Sequence, residues 1–282
     1  MIISKLQGGV GNQLFQYAGA LVAARGMDQE VGVDTSYYWY VPNRKFVLKR
    51  LALPVWVLSP FAFPLESLLA IPLISGYWKR IYPVLGKFDL YEEKKGYVYD
   101  HGLVSIKRST YLSGYWQHRA FVDLVEMELM KSLVFPSLST EGRKLVDRIK
   151  STESVAVHVR RGDYVLHPSF QVCSPEYLHS AMAYIVSHVK NPQFFFFSDD
   201  ISWCRKEFGF QPDITYVGNL DSEIDDLHLM SLCVHHVIAN STFSWWGARL
   251  SKQKGIVIAP RDWCGNPPAA KALLYDSWIQ MD

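Results

Sequence analysis

The sequence predicts an α/β protein of two halves with a ligand cleft between them, and three observations carry that prediction. In the second half, short apolar runs alternate with segments of helical spacing. Runs such as Val155 to Val159 and Phe194 to Phe197 are apolar throughout rather than at every other residue. Strands buried under helices on both faces of a parallel sheet read this way. The first half opens on a strand, a glycine-rich turn and a helix, the start of a similar unit. At 282 residues the chain has room for two ordinary domains.

The elements follow in order. Ile2 to Leu6 reads as a strand, Asn12 to Arg25 as a helix whose Leu14, Tyr17, Ala18, Leu21 and Val22 form one apolar stripe, and Val31 to Asp34 as a second strand. Gly26 stops the helix. The stretch to Gly114 is aromatic and broken by prolines, and no element is assigned to it; Arg119 to Leu133 regains helical spacing and ends before Pro136. Strands are then expected at Ser154 to Val159, Phe194 to Ser198, Ile214 to Val217, His235 to Ala239 and Ile256 to Ala259, with helices starting near Ser174, Asp200, Ser222 and Ser241. Ser174-Pro175 is a helix cap with proline in the first turn. The second half is therefore a doubly wound sheet. The expected division is 1–149, 150–265, and a C-terminal helix within 266–282 that packs back on the first domain.

Composition excludes several classes. With 49% hydrophobic and 20% charged residues the chain has a core to bury and too little charge for disorder. A net charge of +2 gives no broad field for nucleic acid, so any anion site is local. Cys173, Cys204, Cys233 and Cys264 are spaced 31, 29 and 31 residues apart, unlike zinc pairs or a disulfide scaffold. The chain opens at once on a strand, with no signal segment before it, and the expected location is cytoplasmic. Leu51 to Ser75 is nearly uncharged, but Pro54, Pro60, Pro64 and Pro72 interrupt any spanning helix. Burial is the favoured reading for it. Weak peripheral contact with the inner membrane, helped by Tyr77, Trp78, Lys79 and Arg80, is the alternative.

Four segments close predicted strands, where ligands of open α/β sheets bind. Gly8-Gly9-Val10-Gly11-Asn12-Gln13 offers free amides and a positive helix end to an anion. It is not a P-loop, and Leu14 stands where the third glycine of a dinucleotide fingerprint belongs. His158-Val159-Arg160-Arg161-Gly162-Asp163 leaves a buried strand with two adjacent arginines, so at least one enters the protein. Its fork suits a diphosphate, and Arg160 is the expected clamp; Arg161 either binds ligand or pairs with Asp163. Asp199 and Asp200 suit a helix cap, a metal or the donor edge of guanine. The expected split is one cap and one ligand contact. Asn240-Ser241-Thr242-Phe243-Ser244 starts a helix with a hydroxyl-rich turn, a second phosphate cradle. No Asp-x-Asp occurs, and His235 and His236 point to opposite faces of a strand, so no metal is expected.

Together, residues 8–18, His158 to Tyr164 and Asn240 to Ala248, with Asp225-Asp226-Leu227, resemble the α-1,2-fucosyltransferases of glycosyltransferase family eleven. The resemblance implies a GT-B fold of two Rossmann-like domains, with 1–149 on the acceptor side and 150–265 binding the GDP-sugar, and no cofactor. It implies GDP-β-L-fucose as donor and inverting, metal-independent transfer to the 2-hydroxyl of a terminal galactose on an oligosaccharide. Arg160 would then bind the diphosphate and His158 the nucleotide; Asp199 or Asp200 would read guanine; the Thr242 and Ser244 region would hold phosphate. Asn12 would position donor or acceptor. Asp163, on the loop of Arg160, is the candidate base, and Gly9, Gly11, Gln13, Asn240 and Ser241 complete the expected donor contacts. Two other classes compete. A nucleotide-dependent oxidoreductase would use the glycine turn with Asp34, and a noncatalytic sugar- or anion-binding protein would use Arg160 with the capped helix start. Binding of GDP, NAD or plain sugar separates the three.

Overall fold

The computed structural model describes residues 1–27, 29–58, 88–166, 173–218, 220 and 222–282, apart from the side chains of Tyr40, Asp163 and Leu166. It divides into two compact units, Met1–Val134 and Phe135–Asp282.

In the first unit β1 (Ile2–Lys5), α1 (Val10–Ala24) and β2 (Val31–Asp34) fall where the sequence places them. Three further strands appear in the stretch left unassigned, β3 (Trp56–Val57), β4 (Asp89–Glu92) and β5 (Thr110–Ser113). Two to four residues give too few positions for a period to show. The sheet is parallel throughout, in the order β3-β2-β1-β5-β4. α2 (Tyr37–Tyr40) and α3 (His101–Val104) are single turns, whereas α4 (Arg119–Ser132) is a full helix. It lays Phe121, Val122, Val125 and Leu129 in the core beside α1, whose Leu14, Phe15 and Ala18 are fully buried.

The second unit runs α5 (Thr140–Lys150), β6 (Glu153–Val159), α6 (Pro175–His188), β7 (Pro192–Ser198), α7 (Ile201–Phe208), β8 (Ile214–Val217), α8 (Glu223–Leu232), β9 (His235–Val237), α9 (Thr242–Leu250), β10 (Val257–Pro260), α10 (Pro267–Leu273) and β11 (Ile279–Met281). Its sheet is also parallel, ordered β11-β10-β9-β6-β7-β8. The apolar runs are explained by its two faces. Val155, Val157, Phe194 and Phe196 pack on Leu178, Ala181 and Ile185 of α6. Ala156, Phe195 and Phe197 pack on Ile149 of α5 and on Leu229 and Met230 of α8. Each buried phenylalanine contributes about 2–3 kcal/mol.

The expected boundaries need correction. The division falls after Val134, not after 149, because α5 buries Ile149 in the second unit's core. Residues 266–282 belong to the second unit: they form the expected helix, here α10, and then β11, whose Ile279 pairs with Ile258 and Met281 with Pro260 to extend the second sheet. The Asp34 carboxylate is spent inside the first unit, where it accepts from the Tyr111 hydroxyl at 2.5 Å and the Ser36 amide at 2.8 Å. The carboxylate is buried and each of its oxygens already accepts a hydrogen bond, which counts against the oxidoreductase reading. Most of Leu51 to Ser75, and Tyr77 to Arg80, lie outside the described residues. Among the described residues no helix is long and apolar enough to cross a membrane.

Gly255 leads into β10, and a Cβ there would lie 1.8 Å from the Val234 carbonyl oxygen, a backbone atom that cannot turn away. Gly255→Ala is expected to destabilise the protein by at least about 2 kcal/mol, read as a lower midpoint in urea unfolding. An unchanged midpoint contradicts this packing.

Candidate active site

β9, β6 and β7 are neighbours, so the segments that leave their carboxyl ends emerge side by side. The parallel register sets Val159 of β6 beside Ser198 of β7. One residue on, Arg160 Nη1 lies 2.9 Å from Asp199 Oδ2. Two residues on, Arg161 Nε donates to Asp200 Oδ2 at 3.2 Å. Asp199 Oδ1 also accepts the Arg161 amide at 2.9 Å, and Asp200 Oδ1 caps α7 by accepting the Trp203 amide at 2.9 Å. All four carboxylate oxygens are engaged. A Cβ on Gly162 would lie 2.6 Å from Asp199 Oδ2, so only glycine leaves that carboxylate its place.

These contacts revise the sequence reading of the arginines and acids. Arg161 pairs with Asp200, and its guanidinium lies 4.2 Å from the centre of the Trp203 ring. Neither arginine is buried: their side chains are 24% and 31% exposed, because both stand past the last strand residue, where strand alternation no longer applies. Asp200 is the expected cap. Asp199 meets Arg160 before it meets any ligand, so its first role is to orient that guanidinium. The Arg160 guanidinium also lies 5.4 Å from the Tyr164 ring, and the Tyr164 hydroxyl donates to the Asn240 carbonyl at 3.2 Å. That contact joins the β6 and β9 loops. Tyr164 entered the sequence reading only as the last residue of the motif that starts at His158, and Trp203 carried no signal, because a lone aromatic in a helix reads as ordinary core. The side chain of Asp163, the candidate base, lies outside the described set.

His158, the last buried polar residue of β6, is 5% exposed, and its ring lies 5.4 Å from Phe243. Burial, with the Arg160 charge adding to it, pushes its pKa down to about 3. The ring is therefore neutral, and its Nδ1 has no hydrogen-bond partner among the described residues. At the α9 start, Ser241 caps the helix by accepting the Phe243 amide, and half-buried Thr242 follows. Ser244 is not displayed as expected. It is fully buried and donates to the Ala239 carbonyl at 3.3 Å, so it braces the turn. Asn240 is 2% exposed, its amide held between the sulfurs of Cys173 and Cys264 at 3.6 and 3.4 Å.

The glycine turn belongs to the first unit. Gly9 caps α1 without a side chain, and Gly11 is buried in the first turn. Gln13 is also turned inward: it donates to the carbonyls of Gly8 and Lys45 and accepts from the Val47 amide, which ties down the loop after β2 and leaves nothing for a donor. Asn12 Oδ1 accepts from Gln117 Nε2 at 2.9 Å, joining the loops after β1 and β5.

A model described as Glycosyl transferase family 11 matches residues 88–282. The chain belongs to that family. Among its relatives, this family 11 member is 31% identical to an Escherichia coli protein named Alpha-1,2-colitosyltransferase, over 93% of this chain and 92% of that one. It is 29% identical to the O-antigen biosynthesis glycosyltransferase WbnK of Escherichia coli, over 99% of each. A mouse galactoside 2-alpha-L-fucosyltransferase, Sec1, is 36% identical over 37% of this chain and 30% of its own. In three dimensions the glycosyltransferase resembles the fucosyltransferase NodZ from Bradyrhizobium, with a TM-score of 0.51 at 16% identity, over 89% of this chain and 93% of that one. The shared architecture is the GT-B type, with a parallel α/β sheet in each unit.

His158 titrates in a direction that stability reveals. In the unfolded chain it takes a proton near pH 6.5, and in the folded protein only near pH 3. Between those values the unfolded state binds more protons, so this group removes stability as pH falls, by on the order of 1 kcal/mol per unit. Asp226 acts oppositely: burial, then the Asp225 and Glu223 charges, raise it to about 7, so the folded state binds more protons below that pH. The measurement is therefore a difference. Between pH 7 and 5, wild type should lose melting temperature relative to His158→Gln; parallel curves contradict a buried neutral imidazole.

Proposed function

We propose that the enzyme transfers L-fucose from GDP-β-L-fucose to the 2-hydroxyl of a terminal β-galactoside in a bacterial surface glycan, with inversion and without a metal ion. The observation that carries this reading is the guanidinium of Arg160, held in one orientation by Asp199 at the strand ends beside the α9 start. The relatives support it: a named galactoside 2-alpha-L-fucosyltransferase, a named O-antigen glycosyltransferase, and NodZ, whose fold was also determined with GDP at a TM-score of 0.50.

The chemistry follows from charge. As the glycosidic bond breaks, negative charge grows on the β-phosphate and positive character on the sugar. A fixed guanidinium receives the phosphate charge through two parallel N–H bonds, and the amides and Thr242 hydroxyl at the α9 start supply more donors. Neutral His158 offers Nδ1 to the nucleotide at no cost of a buried charge. The proposed substrates are GDP-fucose and lipid-linked glycans at the inner membrane face.

The 31% relative named as a colitosyltransferase favours a second donor. Colitose is L-fucose without its 3-hydroxyl. Assays of GDP-fucose and GDP-colitose side by side on one galactoside acceptor decide between them: a site that hydrogen-bonds the 3-hydroxyl rejects the deoxy sugar strongly, whereas one shaped for the deoxy sugar accepts both. Transfer from neither overturns the reading.

Turnover should survive excess EDTA, since Arg160 and the helix start stand where a cation would. Loss of turnover restored by magnesium or manganese sinks the metal-free mechanism. Arg160→Lys keeps the charge and loses the fork, and kcat should fall roughly a hundredfold, about 3 kcal/mol, with the fold intact. A folded, nearly fully active variant makes Arg160 structural.

A further inference from the structure

Trp203 belongs to none of the sequence motifs, yet one of the paired arginines rests on it. It is half-buried in α7 and packs on the sheet face that Val157 and Val159 share with α6, whereas Phe243, beside His158, packs on the other face. Phe208 meets its ring edge-on at 6.2 Å, so the indole is fixed from the core side. The Arg161 guanidinium lies over that ring, 4.2 Å from its centre. Of the aromatic rings indole attracts a cation most, and a flat guanidinium stacks on it.

Residue 161 is held at each of its backbone polar groups. Its amide donates to Asp199 Oδ1 at 2.9 Å, and its carbonyl accepts the Val165 amide at 2.9 Å. Its Nε donates to Asp200 Oδ2 at 3.2 Å, and the other Asp200 oxygen accepts the amide of Trp203 at 2.9 Å. Trp203 thus holds both members of the ion pair, the acid through its amide and the base through its ring. The pair by itself holds weakly, because its side chains are 31% and 40% exposed. A single Nε contact does not fix the guanidinium plane; the indole face does.

The consequence falls on Arg160. Asp199 gives one oxygen to the Arg161 amide and the other to Arg160 Nη1, both at 2.9 Å. A carboxylate is rigid and planar, so it cannot turn toward one partner without leaving the other. A shift of residue 161 therefore turns Asp199 and re-aims Arg160. Transfer depends on that aim, since a bidentate fork has to meet its phosphate within a fraction of an ångström. We propose that Trp203 is a positioning residue for the donor diphosphate: by clamping Arg161 it sets, through Asp199, the orientation of the Arg160 guanidinium. Arg161 then acts through its neighbours rather than on the donor. The assignment deepens the reading of Arg160 given above and rests on it.

A double-mutant cycle tests it, read as GDP affinity by calorimetry and as kcat with GDP-fucose and lactose. Trp203→Leu should weaken both by about tenfold, roughly 1.4 kcal/mol, with the melting curve recorded to show a folded protein. In an Arg160→Lys background, where the fork is already gone, the same change should cost less than about twofold. A tryptophan that serves packing alone costs the same in both backgrounds. Trp203→Phe keeps a ring face and should stay within about threefold of wild type. Arg161→Met breaks the clamp from the other side and leaves the core whole; it should repeat the Trp203→Leu losses in both backgrounds, and it decides the matter if Trp203→Leu does not fold. A loss in either readout that vanishes in the Arg160→Lys background supports the proposal. No loss in either readout, equal losses in the two backgrounds, or a Trp203→Phe no better than Trp203→Leu overturns it. A wild type that binds GDP but transfers no fucose overturns the donor-sugar assignment, and the affinity cycle still decides the proposal; one that binds no GDP overturns both.

Discussion

The register between β6 and β7 is the constraint on which the site depends. A parallel pair slipped by one residue would turn Phe194 and Phe196 toward α5 and α8, and the two cores would no longer match. With the register fixed by packing, Arg160 meets Asp199 and Arg161 meets Asp200 where the backbone ladder stops. The site's charge is thus positioned by hydrophobic burial tens of atoms away. Half-exposed ion pairs add little stability by themselves. Their value here is orientation: a guanidinium already pinned loses less freedom when a phosphate arrives.

The acid pair also changes how the arginines are understood. Adjacent aspartates after a strand suggest a metal or a purine edge, and adjacent arginines suggest an anion. Placed on neighbouring strands they satisfy each other first, and a ligand enters a network that is already balanced. His158 fits the same pattern, since a neutral ring near the Arg160 charge adds a donor or acceptor without adding charge.

The two units use their sheet ends differently. The second gathers a guanidinium, a capped helix start and a buried neutral imidazole. The first gathers phenols and amides around a strained loop.

Strand and helix order in the second unit, the buried strands and the four loop segments were legible in the sequence, because long apolar runs and capped starts are local signals. So was the family, from residue types in fixed order. Three things were not. The short strands β3, β4 and β5 are made by pairing with β1 and its neighbours, and a segment such as Asp89–Glu92 has no apolar pattern of its own. The inward turn of Gln13 and Ser244, both read as ligand contacts, is decided by which carbonyls lie nearby after folding. The partner of Arg161 is decided by a strand 39 residues away in the chain from its own. Sequence fixes which groups are available, since propensity and periodicity act over a few residues; which of them face one another is settled only when distant strands come into register.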